Sequence, residues 1–166
     1  MAPRLSERGE LIVHQGVVLG PAGVLLAERA ELRGWELPGG EALPGESGEQ
    51  AVAREVLEET GVEVHVEGLA AEYLRSGFRP HLARIYRCRA VAGAPRPSAE
   101  TLRVAWFAPE RLPDTLFPWC RGPLADALDA PGPLRARSER QGVREVLAAL
   151  AIDLRARLRR AGDGSA

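Results

Sequence analysis

The sequence predicts an α/β protein in which a mixed β-sheet has helices on either side. Short apolar segments such as 11–19 and 81–90 have the length and aliphatic content of β-strands. An amphipathic helix at 48–60 carries recognisable start and stop signals, and a second helical segment lies at 117–129. Helices that interrupt a series of strands favour one layered α/β domain.

Composition limits the functions that the chain can perform. It has 166 residues, 45% of them hydrophobic, so we expect one domain with a substantial core. The net charge of −1 argues against stable binding to nucleic acid. All 22 basic residues are arginine, which excludes Schiff-base chemistry on lysine and a P-loop lysine. Apart from a protonated histidine, arginine is the only cationic side chain for a phosphate group.

The cysteine content and the hydropathy indicate a cytoplasmic protein. Cys88 and Cys120 do not have the spacing of metal ligands and are most simply reduced thiols, with a disulfide as the alternative. The N-terminal residues do not have the layout of a signal peptide, and no apolar run reaches 18 residues. We therefore expect no association with a membrane.

The first strands precede residue 30. The apolar residues of 11–19 suit a central strand, within which His14 is expected to be buried and hydrogen-bonded rather than catalytic. A turn at 20–23 and a second strand at 24–27 complete a hairpin.

A charged loop at 28–34 then supplies two candidate substrate-binding residues, Arg29 and Arg33. Trp35 follows and is expected to pack under the next loop, which is rich in glycine and runs from 37 to 46.

The helix at 48–60 is defined at both ends. Ser47 and Gln50 have the spacing of a capping box, and Gly61 is a natural C-terminal stop. At about 100° per residue, the less polar residues form one stripe and the three glutamates face the other way. The stripe comprises Val52, Ala53, Val56, Leu57 and Thr60, and the opposite face carries Glu55, Glu58 and Glu59. Arg54 is four residues before Glu58 and can pair with it.

Three further strands are expected after the helix, at 62–66, 69–75 and 81–90. The connection between the last two contains Phe78 and Arg79. Two interpretations of this connection stay open: it reaches over the site and holds a base or sugar, or it is an ordinary hairpin tip.

The later part of the domain contains one more strand and a helix. A Pro- and Ala-rich loop at 93–99 ends at Glu100, and a strand with Trp106 follows at 103–108. After a turn at 109–113, the segment 117–129 is predicted to be helical.

The sequence predicts a separate extension in the C-terminal part of the chain. A Pro-Gly-Pro sequence at 131–133 divides a domain of residues 1–130 from an extension of residues 131–166. Aliphatic residues recur at helical spacing through 134–160, at Val143, Val146, Leu147, Leu150, Leu154 and Leu158. This basic helix could pack on the domain, form a homodimer, or lie near substrate phosphates.

The face with three carboxylates has two interpretations. One is a solvated helix surface with an Arg54–Glu58 ion pair. The other is a metal site, because carboxylate and carbonyl oxygens are the ligands that Mg²⁺ or Mn²⁺ prefers. The adjacent loop favours the metal site: its glycines allow close approach of a ligand, and it ends at a helix N-terminus, which attracts anions.

The stretch from Gly40 to Val62 resembles the Nudix box, G-x5-E-x7-R-E-U-x-E-E-x-G-U, with U a bulky aliphatic residue. Its nine fixed positions are filled by Gly40, Glu46, Arg54, Glu55, Val56, Glu58, Glu59, Gly61 and Val62. The resemblance implies the Nudix α/β/α sandwich with a mixed sheet. It also implies a hydrolase that cleaves the diphosphate linkage of a nucleoside diphosphate derivative with water and Mg²⁺ or Mn²⁺.

The resemblance also assigns roles by position. It implies that Glu55, Glu58 and Glu59 bind the metal, helped by the carbonyl of Gly39. It gives Arg54 the role of orienting the glutamates, and Glu46 that of supporting the loop. Family members often recruit a further carboxylate before a late strand that carries a Trp. Glu100, six residues before Trp106, has that place as metal ligand or general base, with a plain surface carboxylate as the alternative.

The substrate stays open at this stage. A nucleoside triphosphate and an ADP-ribose-like nucleotide both fit the resemblance, with Arg29, Arg33, Phe78 and Arg79 as candidate binding residues. A different class, the Nudix-like binding module that senses a nucleotide without catalysis, is disfavoured because the box retains every glutamate. A prenyl diphosphate isomerase of the same fold is disfavoured because that branch uses a catalytic cysteine and a less regular box.

Overall fold

The computed structural model describes residues 6, 9–129 and 132–163. The elements in chain order are β1 (Leu11–Gly20), β2 (Gly23–Arg29), β3 (Trp35–Glu36), β4 (Gly39–Gly40), α1 (Gly48–Thr60), β5 (Val62–Gly77), β6 (His81–Gly93), β7 (Thr101–Phe107), a 3₁₀ turn (Pro109–Arg111), α2 (Pro118–Leu128), β8 (Arg135–Gln141) and α3 (Val143–Asp163). The predicted α/β class is confirmed.

The strands of the described ranges form one mixed sheet. Its order is β3-β2-β1-β6-β5-β8, with β4 paired to β1 and β7 paired to β2. The β1–β6 and β5–β8 pairs are parallel, whereas β1–β2 and β5–β6 are antiparallel. The mixed sheet that the sequence predicts is therefore confirmed.

The two faces of the sheet bury different helices. Successive side chains of a strand point to opposite faces. Thus Val18 lies in a core cluster with Val52 and Val56 of α1, whereas the preceding Val17 lies in a larger cluster with Phe117 and with residues of α2. The result is the predicted α/β/α sandwich, with α1 alone on one face.

β5 corrects one prediction. Segments 62–66 and 69–75, predicted as two strands, form a single strand of 16 residues. The register against β6 shifts between Val66 and Gly68, and Gly68 has a φ of 150°. Bulges of this kind bend a strand without ending it.

The C-terminal segment corrects a second prediction. A helix starting near Leu134 is wrong for 135–141, which form β8 along the edge of β5. Asp126 of α2 explains this: its carboxylate accepts hydrogen bonds from Nε and Nη2 of Arg137, both at 2.6 Å, and these hold β8 in place. The boundary predicted at Ala130 and Pro131 lies outside the described residues.

α3 packs on the same core as α2. Ala149 and Ile152 belong to the cluster that contains Phe117. Within the described ranges, no helix combines the length and the hydropathy needed to cross a lipid bilayer.

Candidate active site

The sequence positions α1 through its two ends. Oγ of Ser47 accepts a hydrogen bond from N of Gln50 at 3.1 Å, and Oε1 of Gln50 accepts one from N of Ser47 at 2.8 Å. At the other end Gly61 has a φ of 73° and its N–H donates to the carbonyl of Leu57. The predicted capping box and glycine stop are both confirmed.

The buried face of α1 is displaced from the predicted stripe. Val52 and Val56 are fully buried against the sheet. Leu57, expected in the same stripe, is 40% exposed, so that prediction is wrong. With Val52 at 0°, the buried residues lie between about 260° and 80°, whereas Leu57 lies at about 140°. They are Ala51, Val52, Val56, Glu59 and Thr60, so Glu59, predicted on the opposite face, is on the buried side.

Arg54 gathers the acidic groups around α1. Its Nε and Nη2 donate to the two carboxylate oxygens of Glu46 at 3.0 and 3.1 Å. Its Nη1 donates to Glu55 at 2.7 Å and to Glu58 at 3.1 Å, so the predicted pair with Glu58 is present. Its Nη2 also reaches the carbonyl of Glu41 in the glycine loop at 3.0 Å. One guanidinium thus fixes the loop and two helix carboxylates together.

The glycine loop approaches α1 very closely. A Cβ on Gly40 would lie 2.6 Å from Cδ of Glu55, and one on Gly39, whose φ is 152°, would lie 2.1 Å from the carbonyl oxygen of His14. Only glycine allows this approach. The N–H of Gly39 donates to Oε2 of Glu59 at 2.9 Å, which joins the loop to the last glutamate of the box.

The three box glutamates differ in environment. Glu58 is 58% exposed at its side chain, Glu55 is 17% exposed, and Glu59 is buried. Burial raises the pKa of Glu59 to about 8, and the nearby negative charges of Glu36 and Glu55 also raise it. The hydrogen bond from N of Gly39 lowers this pKa but does not outweigh the burial. At neutral pH the metal-free site therefore favours the protonated form of Glu59.

Arg29 and Glu100 lie beside this acidic face. Nη1 of Arg29 donates to Oε1 of Glu36 at 3.0 Å, and the guanidinium is also attracted by Glu59 and Glu100, which together raise its pKa. The carbonyl of Glu100 accepts a hydrogen bond from N of Ala30 at 2.9 Å. The structure thus brings Arg29 and Glu100 close to the end of α1.

The other predicted substrate-binding residues lie elsewhere. The N–H of Arg33 donates to Asp153 of α3 at 2.8 Å, and Nε of Arg33 is buried without a hydrogen-bond partner in the described chain. Phe78 and Arg79 form the exposed β5–β6 tip, with the guanidinium of Arg79 lying 5.8 Å from the centroid of the Phe78 ring. The N–H of Phe78 bonds to Gln141 of β8 and not to the glycine loop.

Two residues near the site were not singled out by the sequence. Glu36 is enclosed between Arg29 and the core, and burial raises its pKa in spite of that ion pair. Thr101 donates its Oγ1 hydrogen to the carbonyl of Glu59 at 2.8 Å, which ties β7 to the last turn of α1. Glu36 lies between two core residues, Trp35 and Leu37. A charged residue between two large apolar ones is the sequence signal that could have indicated it.

His14 supports the start of the helix. It is buried, as predicted, and its Nδ1 lies 3.3 Å from Oη of Tyr86. A Cβ on Gly48 would lie 2.1 Å from the same Tyr86 oxygen, so the first turn of α1 rests directly on this pair.

The donor set fits a divalent cation in its chemistry. Glu55, Glu58 and Glu59 each use one oxygen in the hydrogen bonds described above, and all their oxygens are the hard ligands that Mg²⁺ and Mn²⁺ prefer. In the described residues, no three His, Cys, Asp or Glu side chains are already arranged around a common metal position. The glutamates instead hold Arg54 and the N–H of Gly39.

In the site, a capped acidic helix packs against a glycine loop. The fold and this site together define an enzyme that hydrolyses phosphoric anhydrides. The family model of the NUDIX domain matches residues 13–128. The chain therefore belongs to the Nudix hydrolase family and is a pyrophosphohydrolase of that type.

Known proteins show the same relationship. The chain is 40% identical over 119 residues to a MutT-like protein of Streptomyces ambofaciens, covering 71% of this chain and 77% of that one. It is 35% identical over 95 residues to a putative 8-oxo-dGTP diphosphatase of Bacillus subtilis, covering 57% and 64%. The crystal structure of an ADP-ribose pyrophosphatase from Streptococcus suis shares the fold, with a TM-score of 0.65, 23% identity, and coverage of 77% and 98%.

Proposed function

We propose that this protein hydrolyses nucleoside triphosphates to nucleoside monophosphates and pyrophosphate, using Mg²⁺ or Mn²⁺. The observation that carries the proposal is the bonding of Arg54 to Glu46, Glu55 and Glu58 beside a loop that only glycine can form. A solvated surface helix would not need a guanidinium to hold like charges together against a loop.

The sequence relatives support a triphosphate as substrate. The relatives at 35–40% identity are a MutT-like protein and a putative 8-oxo-dGTP diphosphatase. The ADP-ribose pyrophosphatase is 23% identical and supports the fold alone. An oxidised guanine nucleotide is therefore the first substrate to test, and ADP-ribose is the comparison.

Each residue has a role in this proposal. Glu55, Glu58 and Glu59, with the carbonyl of Gly39, would hold the divalent ion, and Glu100 is the candidate for a further ligand or general base. When bound, the ion neutralises phosphate charge and lowers the pKa of water. Arg54 orients the carboxylates, and the guanidinium of Arg29 is attracted by Glu59 and Glu100.

The reaction balances without any other reagent. The oxygen of water forms a bond to phosphorus, and the bond from that phosphorus to the bridging oxygen breaks. The bridging oxygen leaves with the electron pair on the departing phosphate group, and a carboxylate accepts the proton of the water.

A product assay tests the proposal. The panel comprises dGTP, 8-oxo-dGTP, the other triphosphates, ADP-ribose, nucleotide sugars and dinucleoside polyphosphates, each with Mg²⁺ or Mn²⁺. We expect a triphosphate to yield equal amounts of monophosphate and pyrophosphate. Glu58→Gln and Glu59→Gln should each lower kcat by at least about 100-fold. Glu72→Gln is the matched control, because its carboxylate pairs with Arg84 and not with Arg54.

Two results would contradict the proposal. Preferred cleavage of ADP-ribose over every triphosphate would overturn the substrate class while leaving the enzyme class intact. Binding of a nucleotide that raises Tm, without turnover of any compound, would favour a nucleotide-sensing module.

A further inference from the structure

α3 has two apolar faces, of which one is covered. Ala149, Ile152 and Ala156 are buried on the side that packs against the domain. The side chain of Ile152 lies so near Gly34 that a Cβ there would be 2.9 Å from it. The covered face is thus built from small residues and one isoleucine.

The second face is an exposed aliphatic stripe. It consists of five residues that are each between 54 and 74% exposed: Val143, Leu147, Leu150, Leu154 and Leu158. At 100° per residue they fall within an arc of roughly 80°, on the side opposite the buried residues, and they extend over roughly 22 Å of helix. This stripe accounts for half of the large hydrophobic residues that are exposed in the described chain.

The size of the stripe approaches what a specific interface needs. Its five side chains expose on the order of 500 Å² of aliphatic surface, which is near the upper limit for a patch on a monomer. Two such stripes and their flanking residues would bury roughly 1,000–1,200 Å², at the lower limit of stable protein–protein interfaces.

The spacing of the stripe is palindromic. Val143 and Leu158 are equally far from a point between Leu150 and Ala151, and Leu147 and Leu154 are also equally far from it. A two-fold axis through that point pairs the helix with an antiparallel copy of itself. Val143 then meets Leu158 and Leu147 meets Leu154, which is the self-complementarity that an isologous dimer requires.

The charges beside the stripe do not contribute to this pairing. The two-fold axis places Arg144 opposite Arg157 of the second copy, and Arg157 already pairs with Asp153 of its own chain at 2.7 Å. The pairing therefore rests on the aliphatic stripe and its symmetry.

Three cations of the C-terminal half whose side chains the structure describes are already engaged, which disfavours an anionic membrane as the occupant. Arg155 and Arg159 pair with Asp114 at 3.7 and 2.8 Å, and Arg157 pairs with Asp153 at 2.7 Å. An interfacial membrane helix needs its basic residues available for lipid phosphates.

We infer that the protein forms a homodimer in which two α3 helices pack antiparallel along this stripe, about a two-fold axis near Leu150. The α3 helix of each copy also contacts the loop that follows Arg29. Asp153 accepts a hydrogen bond from N of Arg33, and Nη2 of Arg157 donates to the carbonyl of Glu31 at 3.1 Å. Pairing of the two α3 helices therefore stabilises the position of α3, and α3 in turn fixes the loop at 28–34.

Sedimentation of the full chain at about 1–100 μM tests the dimer, a range in which interfaces of this size associate. We expect a species with twice the 17.9 kDa mass of the chain. The double variant Leu147→Glu, Leu154→Glu should be monomeric throughout that range. Val91→Glu, a charge placed on an equally exposed residue of β6, should stay dimeric. A wild-type monomer at every concentration, or a double variant that dimerises like wild type, would overturn the inference.

Cysteine cross-linking tests whether the two α3 helices pack antiparallel. Each single-cysteine variant keeps the other four residues of the stripe. Cys88 and Cys120 are buried and free, so background disulfides should be few. Leu150→Cys should form a covalent dimer under mild oxidation, whereas Val143→Cys should not, because antiparallel packing holds the two Val143 positions roughly 22 Å apart. Cross-linking of Val143→Cys alone would overturn the antiparallel arrangement. Co-sedimentation of a monomer with phosphatidylserine vesicles would assign the stripe to a membrane surface instead.

Discussion

Nη1 of Arg54 lies 2.7 Å from Oε1 of Glu55, the residue that follows it in the chain. The same guanidinium bonds to both oxygens of Glu46, eight residues earlier, so the two carboxylates share one cation. These bonds lower the pKa of Glu46 and raise the pKa of Arg54. Arg54 therefore offsets part of the negative charge of the acidic face and fixes the direction of its carboxylates.

Replacing Arg54 by Lys should separate geometry from charge. A lysine keeps the positive charge, but its single nitrogen with three donors cannot reproduce the five bonds that Nε, Nη1 and Nη2 of Arg54 make. We expect a loss of about 10–100-fold in kcat/KM, the size usually seen when a residue that orients metal ligands is changed. Steady-state kinetics with saturating Mg²⁺ would measure it.

Arg84→Lys is the control for that experiment. It disrupts a single arginine–carboxylate bond, to Glu72, between paired positions of β5 and β6. Equal losses of activity in the two variants would show that the Arg54 network has no special role.

Gly40→Ala should abolish activity while leaving the fold intact. Its Cβ would lie 2.6 Å from Cδ of Glu55, so the carboxylate must move away from its place beside the loop. We expect kcat to fall by about 100-fold or more, because a displacement of about 1 Å at a reacting site can have that effect. Circular dichroism and product assays on the same sample would measure fold and activity.

Gly142→Ala is the matched control for Gly40→Ala. The nearest atom to its added Cβ would be Oε2 of Glu145 at 3.5 Å, an ordinary contact. Activity in Gly40→Ala within about threefold of that in Gly142→Ala would mean that the loop does not constrain Glu55.

The sequence predicted α1 well because its determinants are local. The Ser47 cap, the stop at Gly61 and the Arg54–Glu58 pair each depend on residues within four positions of one another. The direction of the glutamates could not be predicted in the same way. It depends on Gly39 and Glu46, and their positions follow from how the loop pairs with β1.

β8 was missed for a related reason. Residues 135–141 contain three arginines and no aliphatic side chain larger than that of Ala136, so they lack the usual signal of a strand. Their strand conformation depends on Asp126, which comes from the preceding helix and binds Arg135 and Arg137. A long-range ion pair of this kind has no signature in the spacing of nearby residues.

Asp126→Asn should destabilise the protein through β8. The hydrogen bonds from Arg137 hold the pKa of Asp126 far below its ordinary value, and the hydroxyl of Tyr73 donates to it at 2.5 Å. Loss of a buried charged acceptor should lower the free energy of unfolding by about 1.5–3 kcal/mol. Chemical denaturation at pH 7 would measure this loss.

The pH dependence of stability checks the same group. Because the folded-state pKa is depressed, the stability contributed by Asp126 is present above its ordinary pKa of 3.8 and is lost as the pH falls towards the folded value. Asp126→Asn should therefore show a smaller acid-induced loss than wild type. Asp129→Asn, at the exposed partner of Arg135, should retain the wild-type profile.

Glu59 should make metal binding depend on pH. Its pKa of about 8 in the metal-free protein means that a bound divalent ion must displace a proton at neutral pH. Between pH 5 and 8 the affinity should rise by up to about tenfold per pH unit, and it should level off above pH 8. Calorimetry with Mn²⁺ in two buffers of different ionisation enthalpy would measure a release of about one proton at pH 7.

The metal-free protein should show the linked effect on stability. The folded-state pKa of Glu59 lies above its ordinary value of 4.5, so its contribution is full below pH 4.5 and is lost as the pH rises through about 8. Glu59→Gln keeps a neutral acceptor for the N–H of Gly39, and its stability should not fall over that window. Glu58→Gln, at an exposed carboxylate, should weaken metal binding but keep both the proton release and the stability profile. A wild-type affinity for Mn²⁺ that is constant from pH 6 to pH 8 would show that Glu59 is ionised before the metal binds.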